Sequence, residues 1–251
     1  MKRICLSALT ALLACTVSPA QDYELVKGQP SRCATVSHEG YTVSFDPVRR
    51  TPAWVAWELT SEETQGTFSR TDSFTPDPLV PGSPESREYS RSGYDRGHMA
   101  PAADMKWSLR AMEESFYTTN VCPQDNGLNA GTWCELEKQC RVWARHYGRL
   151  WIAAGPVHSG EAVTTASGIA VPDAFYKVVL KEYRGRWYAI AFVMPNRSVG
   201  GDILDWCTSV DSVERMTGLD FFSALPDGIE DAVEGTCRPE DWRYYMIPFK
   251  H

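Results

Sequence analysis

Between residues 41 and 60 the chain changes its hydrophobic pattern twice. Tyr41, Val43 and Phe45 alternate with polar neighbours, a period of two that predicts a strand, and Ala53 to Leu59 is an apolar and aromatic run that predicts a second. Thr75 to Gly93 holds four prolines with several Ser and Gly residues and predicts a loop, on which Arg87 and Arg91 sit. The period then becomes helical. Trp133, Leu136, Cys140, Trp143 and Tyr147 recur at spacings of three and four, which predicts a helix over Ala130 to Tyr147, stopped by Gly148. Leu150 to Ala154, Ala174 to Leu180 and Trp187 to Met194 predict three more strands, the last two joined as a hairpin across Arg184-Gly185-Arg186. Ser209 is expected to cap a helix that Gly218 ends. Strands at both ends and one strong helix between them indicate an α+β fold, a largely antiparallel sheet core with flanking helices.

The chain has 251 residues, 43% of them hydrophobic, which is enough for a sizeable core and excludes a disordered or fibrous protein. There is no internal repeat and no linker, so residues 21–251 are expected to form a single domain. Residues 1–20 resemble a targeting segment. Lys2 and Arg3 precede the apolar stretch Ile4 to Ala14, which is too short to span a bilayer. Cleavage after Ala20 would make residues 1–20 a signal peptide. Leu12-Leu13-Ala14-Cys15 resembles a bacterial lipobox, which would make residues 1–14 a lipoprotein leader and Cys15 a lipid anchor. Either exit predicts an exported protein: secreted, periplasmic or anchored to a bacterial membrane.

Two of the cysteines, Cys5 and Cys15, lie in that leader. The remaining Cys33, Cys122, Cys134, Cys140, Cys207 and Cys237 form an even set. In an exported chain that suggests up to three disulfides, with Cys207–Cys237 the preferred pair. Cys134 and Cys140 would point about 120° apart on a helix and should not bond each other. The formal net charge is −7, and loss of Lys2 and Arg3 with the leader would take it to −9. Such a charge excludes tight binding of nucleic acid through a broad basic surface. It leaves room for an enzyme that concentrates a few arginines and a cation at one site.

Two segments carry the chemistry. Tyr94-Asp95-Arg96-Gly97-His98-Met99-Ala100-Pro101 brings a cation and an imidazole close together on a loop. Asn120-Val121-Cys122-Pro123-Gln124, running on through Leu128-Asn129-Ala130-Gly131-Thr132-Trp133 to Leu136-Glu137, puts an amide at a helix start and a carboxylate two turns later. Phosphodiester hydrolysis needs these parts: a base for water, a metal ion, and positive groups around the phosphoryl oxygens. On one helix Asn129 and Glu137 would lie about 12 Å apart along the axis, too far to be direct ligands of one ion. Asn129 is therefore expected to bind metal directly and Glu137 through a metal-bound water, an arrangement that suits magnesium.

The linked motifs resemble the DNA/RNA non-specific endonuclease family of the ββα-metal (His-Me finger) superfamily, over about residues 40 to 230. The resemblance implies Mg2+, with Mn2+ as its substitute, and DNA and RNA as substrates; no stable protein partner is expected. It implies that His98 is the general base, Asn129 the direct metal ligand and Glu137 the holder of the metal's water shell. Arg96 would contact phosphate, Asn120 orient the site, and Arg70 supply a second phosphate contact; Asp95 is expected to orient its neighbours. Weaker readings accompany these. Asn129 could serve only as a helix cap, and Asp104 with Asp125 offers a rival carboxylate site. Asn196-Arg197-Ser198 matches a glycosylation sequon by chance. Trp133, Trp143 and Tyr147 are expected in the core, and His38, His146, His158 and His251 outside the chemistry. The whole chain could also be a catalytically silent nucleic-acid-binding module, or a hydrolase of small phosphodiesters.

Overall fold

Trp57 and Trp54, three residues apart on one strand, are both fully buried, yet they belong to different cores. The computed structural model, which describes residues 25–161, 163–243 and 246, explains this with a sheet covered on both faces. Its strands are β1 (Val26–Lys27), β2 (Ala34–Ser37), β3 (Thr42–Asp46), β4 (Thr51–Thr60), β5 (Asp95–His98), β6 (Val121–Gln124), β7 (Arg149–Val157), β8 (Ala174–Tyr183), β9 (Arg186–Pro195), β10 (Cys207–Thr208) and β11 (Asp220–Phe221). The helices are α1 (Leu109–Glu114), α2 (Asn126–Asn129), α3 (Thr132–Tyr147), α4 (Val210–Thr217) and α5 (Asp227–Glu234).

Seven strands form one antiparallel sheet in the order β10-β9-β8-β7-β4-β3-β2. Side chains alternate across it. Val55, Trp57 and Leu59 face α3, whose Trp133, Leu136, Cys140 and Trp143 are buried against them. Trp54 and Ala56 face the other way, toward Val210, Val213 and Phe221. Each such aromatic or aliphatic burial is worth roughly 1.5–3 kcal/mol, so both faces hold the sheet. The β8–β9 hairpin turns at Arg184 (φ 55°) and Gly185 (φ 77°). Two consecutive positive φ values make a type I′ turn, which matches the twist of the flanking strands.

The predicted strands and α4, with Ser209 as N-cap and Gly218 in the left-handed C-cap, are all present. The predicted helix differs at its start. Gly131, at φ −99° and ψ −121°, breaks it, so Asn129 is the last residue of the short α2 and not the cap of α3. Asp125 caps α2 instead, accepting from Leu128 N. His98 ends a strand where a loop was expected. The leader, including Cys5 and Cys15, and His251 lie outside the described residues.

The expected disulfides are not formed among the described residues. All six body cysteines are free, and Cys122 and Cys140 are buried as hydrophobes. Only Cys207 and Cys237 meet; burial and then a hydrogen bond with Cys207 push the Cys237 thiol up to about 12.

Candidate active site

β5 and β6 form a separate antiparallel hairpin, with Asp95 opposite Gln124 and His98 opposite Val121. Between the two strands the chain leaves through α1 and returns at Asn120. The return is fastened by Asn120, which is fully buried. Its Oδ1 accepts from Ala100 N at 2.9 Å, and its Nδ2 donates to Ala100 O and Ser115 O, both at 2.9 Å. Met99 N donates to Asn120 O. Asn120 therefore fixes the backbone just beyond His98. Gly97 is required by close approach, since a Cβ there would sit 2.1 Å from Gln124 Oε1. A second clamp joins the hairpin to the large sheet. Asn196, after β9, accepts from Asp125 N at 2.8 Å and donates to Pro123 O and Pro172 O. Its amide is fully engaged, so the sequon there is structural.

His98 is buried among aromatic rings. Phe74 lies 5.1 Å from it and Phe116 5.0 Å, the latter edge-on. Arg96 sits over Phe74 at 4.6 Å and Arg70 over Phe116 at 4.9 Å. Burial, seconded by Arg70 and Arg96, depresses the imidazole to about 3, with Asp72 opposing. The ring is therefore neutral at physiological pH, and its Nε2 has no hydrogen-bond partner among the described residues. Both arginines are exposed; Arg70 pairs with Asp72, and Arg96 donates to Ser86 Oγ at 2.7 Å.

At the other end of β5, Asp95 Oδ2 accepts from Asn126 Nδ2 and Asn129 Nδ2, both at 2.9 Å. Asp95 therefore links the strand to both asparagine amides of α2. It and His98 stand three residues apart on one strand, a span of about 10 Å. Glu137 on α3 lies within electrostatic reach of Arg70, as His98 does. Burial raises the Glu137 carboxyl to about 7, against the pull of Lys177 and Arg141. Lys177 is fully buried on β8, its Nζ without a hydrogen-bond partner among the described residues and 4.7 Å from the centre of the Trp133 ring.

The rival carboxylate pair does not assemble. Asp104 is buried in an ion pair with Arg141 at 2.7 Å and accepts from Trp57 Nε1, and Asp125 is occupied as the α2 cap. Trp133 and Trp143 are core residues, as expected. His38 is buried against Asp77 at 2.9 Å, and His158 is a half-buried ring depressed to about 4 by its burial. The sequence reading missed Phe74, Phe116, Lys177, Arg141, Asn126 and Asn196. Of these, only Asn196 stood out in the sequence, and then as a sequon; Asn126 lies between the two quoted parts of the motif.

A hard cation fits these residues. Asn129 commits Nδ2 to Asp95, which orients the amide with its oxygen as the remaining donor, and Glu137 adds a carboxylate. Amide and carboxylate oxygens are the donors magnesium takes, usually few at a time.

A hairpin followed by helix, with a histidine on its first strand and an amide and a carboxylate on the helical part, is the architecture of ββα-metal nucleases. The profile of the DNA/RNA non-specific endonuclease family matches residues 19–228, and the chain belongs to that family. The mitochondrial nuclease EXOG of Xenopus laevis is 36% identical over 204 residues, 74% of this chain and 57% of its own length. Human mitochondrial endonuclease G is 34% identical over 216 residues, 79% of this chain and 73% of its own. The crystal structure of an EndoG/EndoGI complex, described as showing the mechanism of EndoG inhibition, matches at a TM-score of 0.78 and 29% identity. That match covers 85% of this chain and 95% of the solved one. The chain spans little more than half of the frog relative. These relatives also correct the expectation of export. They are named as mitochondrial nucleases, and they lend no support to a secreted, periplasmic or lipid-anchored protein.

Proposed function

We propose that this protein is a magnesium-dependent endonuclease that hydrolyses DNA and RNA with little sequence preference, with His98 as its general base and residues 21–251 as one catalytic domain. The observation that carries the reading is the neutral imidazole of His98, its Nε2 without a hydrogen-bond partner among the described residues, flanked by Arg70 and Arg96, on the strand whose Asp95 holds the Asn129 amide. Asn129 would hold the ion directly, with Glu137 reaching it through a bound water; Mn2+ would be the substitute.

In the proposed reaction His98 takes a proton from water as the water oxygen attacks phosphorus. The bond from phosphorus to the leaving oxygen breaks, and that oxygen is protonated from solvent. The ion, when bound, neutralises charge on the phosphoryl and leaving oxygens. Arg70 and Arg96 bind the substrate phosphates and stabilise the added negative charge of the transition state. Asp95 and Asn120 hold ligand and base in place. The acidic net charge is offset locally by these two arginines with Lys177 and Arg141.

The test is cleavage of plasmid DNA and of RNA by the purified protein with Mg2+ or chelator. Both polymers should be cut with Mg2+ only, and His98→Ala should lower the rate at least ~100-fold. Binding without cleavage would indicate a silent module, and cleavage of small phosphodiesters alone a different hydrolase. A protein inhibitor is a further proposed partner, by analogy with the EndoG/EndoGI complex. The Cys207–Cys237 contact is proposed to close to a disulfide with a disulfide oxidant, each thiol giving up one hydrogen; a thiol count before and after treatment tests it.

A further inference from the structure

On the sheet face away from α3, helices α4 and α5 bring three carboxylates together. One oxygen each from Asp211, Glu214 and Glu234 lies within 4.8 Å of the others. Asp211 and Glu214 share a face of α4 by their spacing of three. Glu234 is the last residue of α5, where the helix dipole already disfavours negative charge. Its side chain is nearly enclosed, at 5% exposure, and its Oε1 is buried with no hydrogen-bond partner among the described residues.

The neighbours do not resolve this. Glu214 Oε1 accepts from Phe221 N at 2.9 Å. The guanidinium of Arg215 stays 3.8 Å from Asp211, is largely exposed, and donates instead to Ser212 Oγ. Asp220 and Glu230 add further negative charge around Glu234. A buried carboxylate at a helix C-terminus, unpaired and facing two others, combines three unfavourable features, and a bound cation would relieve all of them.

We propose that Asp211, Glu214 and Glu234 form a second metal site, for a hard divalent cation of the calcium type, separate from the ion expected at Asn129. The donors are all oxygens, one from each of three carboxyl groups. Zinc favours nitrogen and sulfur. Magnesium keeps most of its own waters at short, octahedral distances. Calcium takes oxygens at 2.3–2.6 Å in a flexible shell, and three carboxyl oxygens that all lie within 4.8 Å of one another are close enough to share one such ion. Such an ion would tie α5 to α4.

The experiment uses the full chain stripped with chelator, then melted with and without Ca2+, with bound calcium counted by equilibrium dialysis. The wild type and Asn129→Ala should both melt higher with Ca2+. Glu234→Gln and Asp211→Asn should lose that rise and bind one calcium fewer. In chelator both should melt no lower than the wild type, because Asp211→Asn removes a repulsive charge and Glu234→Gln replaces a carboxyl that burial and its acidic neighbours raise to about 9 and so already hold neutral, and this shows that they fold. Glu234→Gln should cleave DNA in Mg2+ at the wild-type rate. The proposal is overturned if Asn129→Ala shows no calcium-dependent rise, or if Glu234→Gln and Asp211→Asn keep both the rise and the full calcium count.

Discussion

Asn129 donates through Nδ2 to Asp95 Oδ2 at 2.9 Å, which ties the end of α2 to the strand that carries His98. A free asparagine amide can present either its nitrogen or its oxygen. This bond, shared with Asn126, selects the orientation in which the amide oxygen is left for an ion. Partners that orient a metal ligand typically account for 10–100-fold in affinity. Asp95→Ala is therefore expected to raise the Mg2+ concentration for half-maximal cleavage about 10–100-fold. The rate at saturating Mg2+ should fall much less. A drop in the saturated rate with unchanged Mg2+ dependence would argue against the orienting role.

Asn120 acts through the backbone. All three of its side-chain hydrogen bonds are made in full burial, two of them to Ala100, two residues past His98. Asn120→Ala leaves those backbone groups without partners and should cost about 3 kcal/mol of stability, measured by urea unfolding. Below its melting temperature the variant should lose kcat with little change in the KM for DNA, because the base is displaced and the phosphate contacts are not.

The large sheet was legible in the sequence because β4, β7, β8 and β9 are long apolar runs bounded by turn residues, and α4 because its cap and stop are explicit. The finger was less so. β5 and β6 have four residues each and contain Gly97 and Pro123, so neither carries enough alternation to read as a strand. The break at Gly131 was hidden because the apolar stripe of α3 continues the numbering of α2. α5 is mostly acidic and small, with a short apolar face, and gave no signal. At the site, His98, Asn129, Arg96 and Glu137 stood out through their motifs. Lys177 is one polar interruption of the apolar run Ala174 to Leu180, and Phe74 stands alone among polar residues, with no periodic pattern around it. What they do depends on partners more than 20 positions away, which no local pattern records.

His98 should leave a trace in acid stability as well as in rate. Its folded value of about 3 lies below the unfolded value of about 6.5. Between those limits the unfolded chain takes up a proton that the folded chain refuses. The stability associated with the neutral ring is thus complete above pH 6.5 and is lost progressively as pH falls toward 3. His98→Gln removes this titration. Its urea midpoint should fall less steeply than that of the wild type between pH 6.5 and 4, while its cleavage rate falls at least ~100-fold. Parallel midpoint curves for the two proteins would refute the burial-driven shift.

Glu137 shifts the opposite way, and its shift couples proton and metal. With a folded value raised to about 7 by burial, the carboxyl is largely protonated in the metal-free protein below that pH. Holding a metal-bound water requires the charged form, so Mg2+ uptake near pH 6 should expel a proton, and Mg2+ affinity should rise with pH and level off above about 7. Calorimetric titration in buffers of different ionisation enthalpy measures the released proton directly, and Glu137→Gln should abolish both the release and the slope. Lys177 supplies the test of cause. Its charge lowers the Glu137 value, so Lys177→Met should move the whole profile to higher pH, leaving the enzyme active only in more alkaline buffer. A profile that stays in place in Lys177→Met, or a proton release that survives Glu137→Gln, would assign the titration to another group.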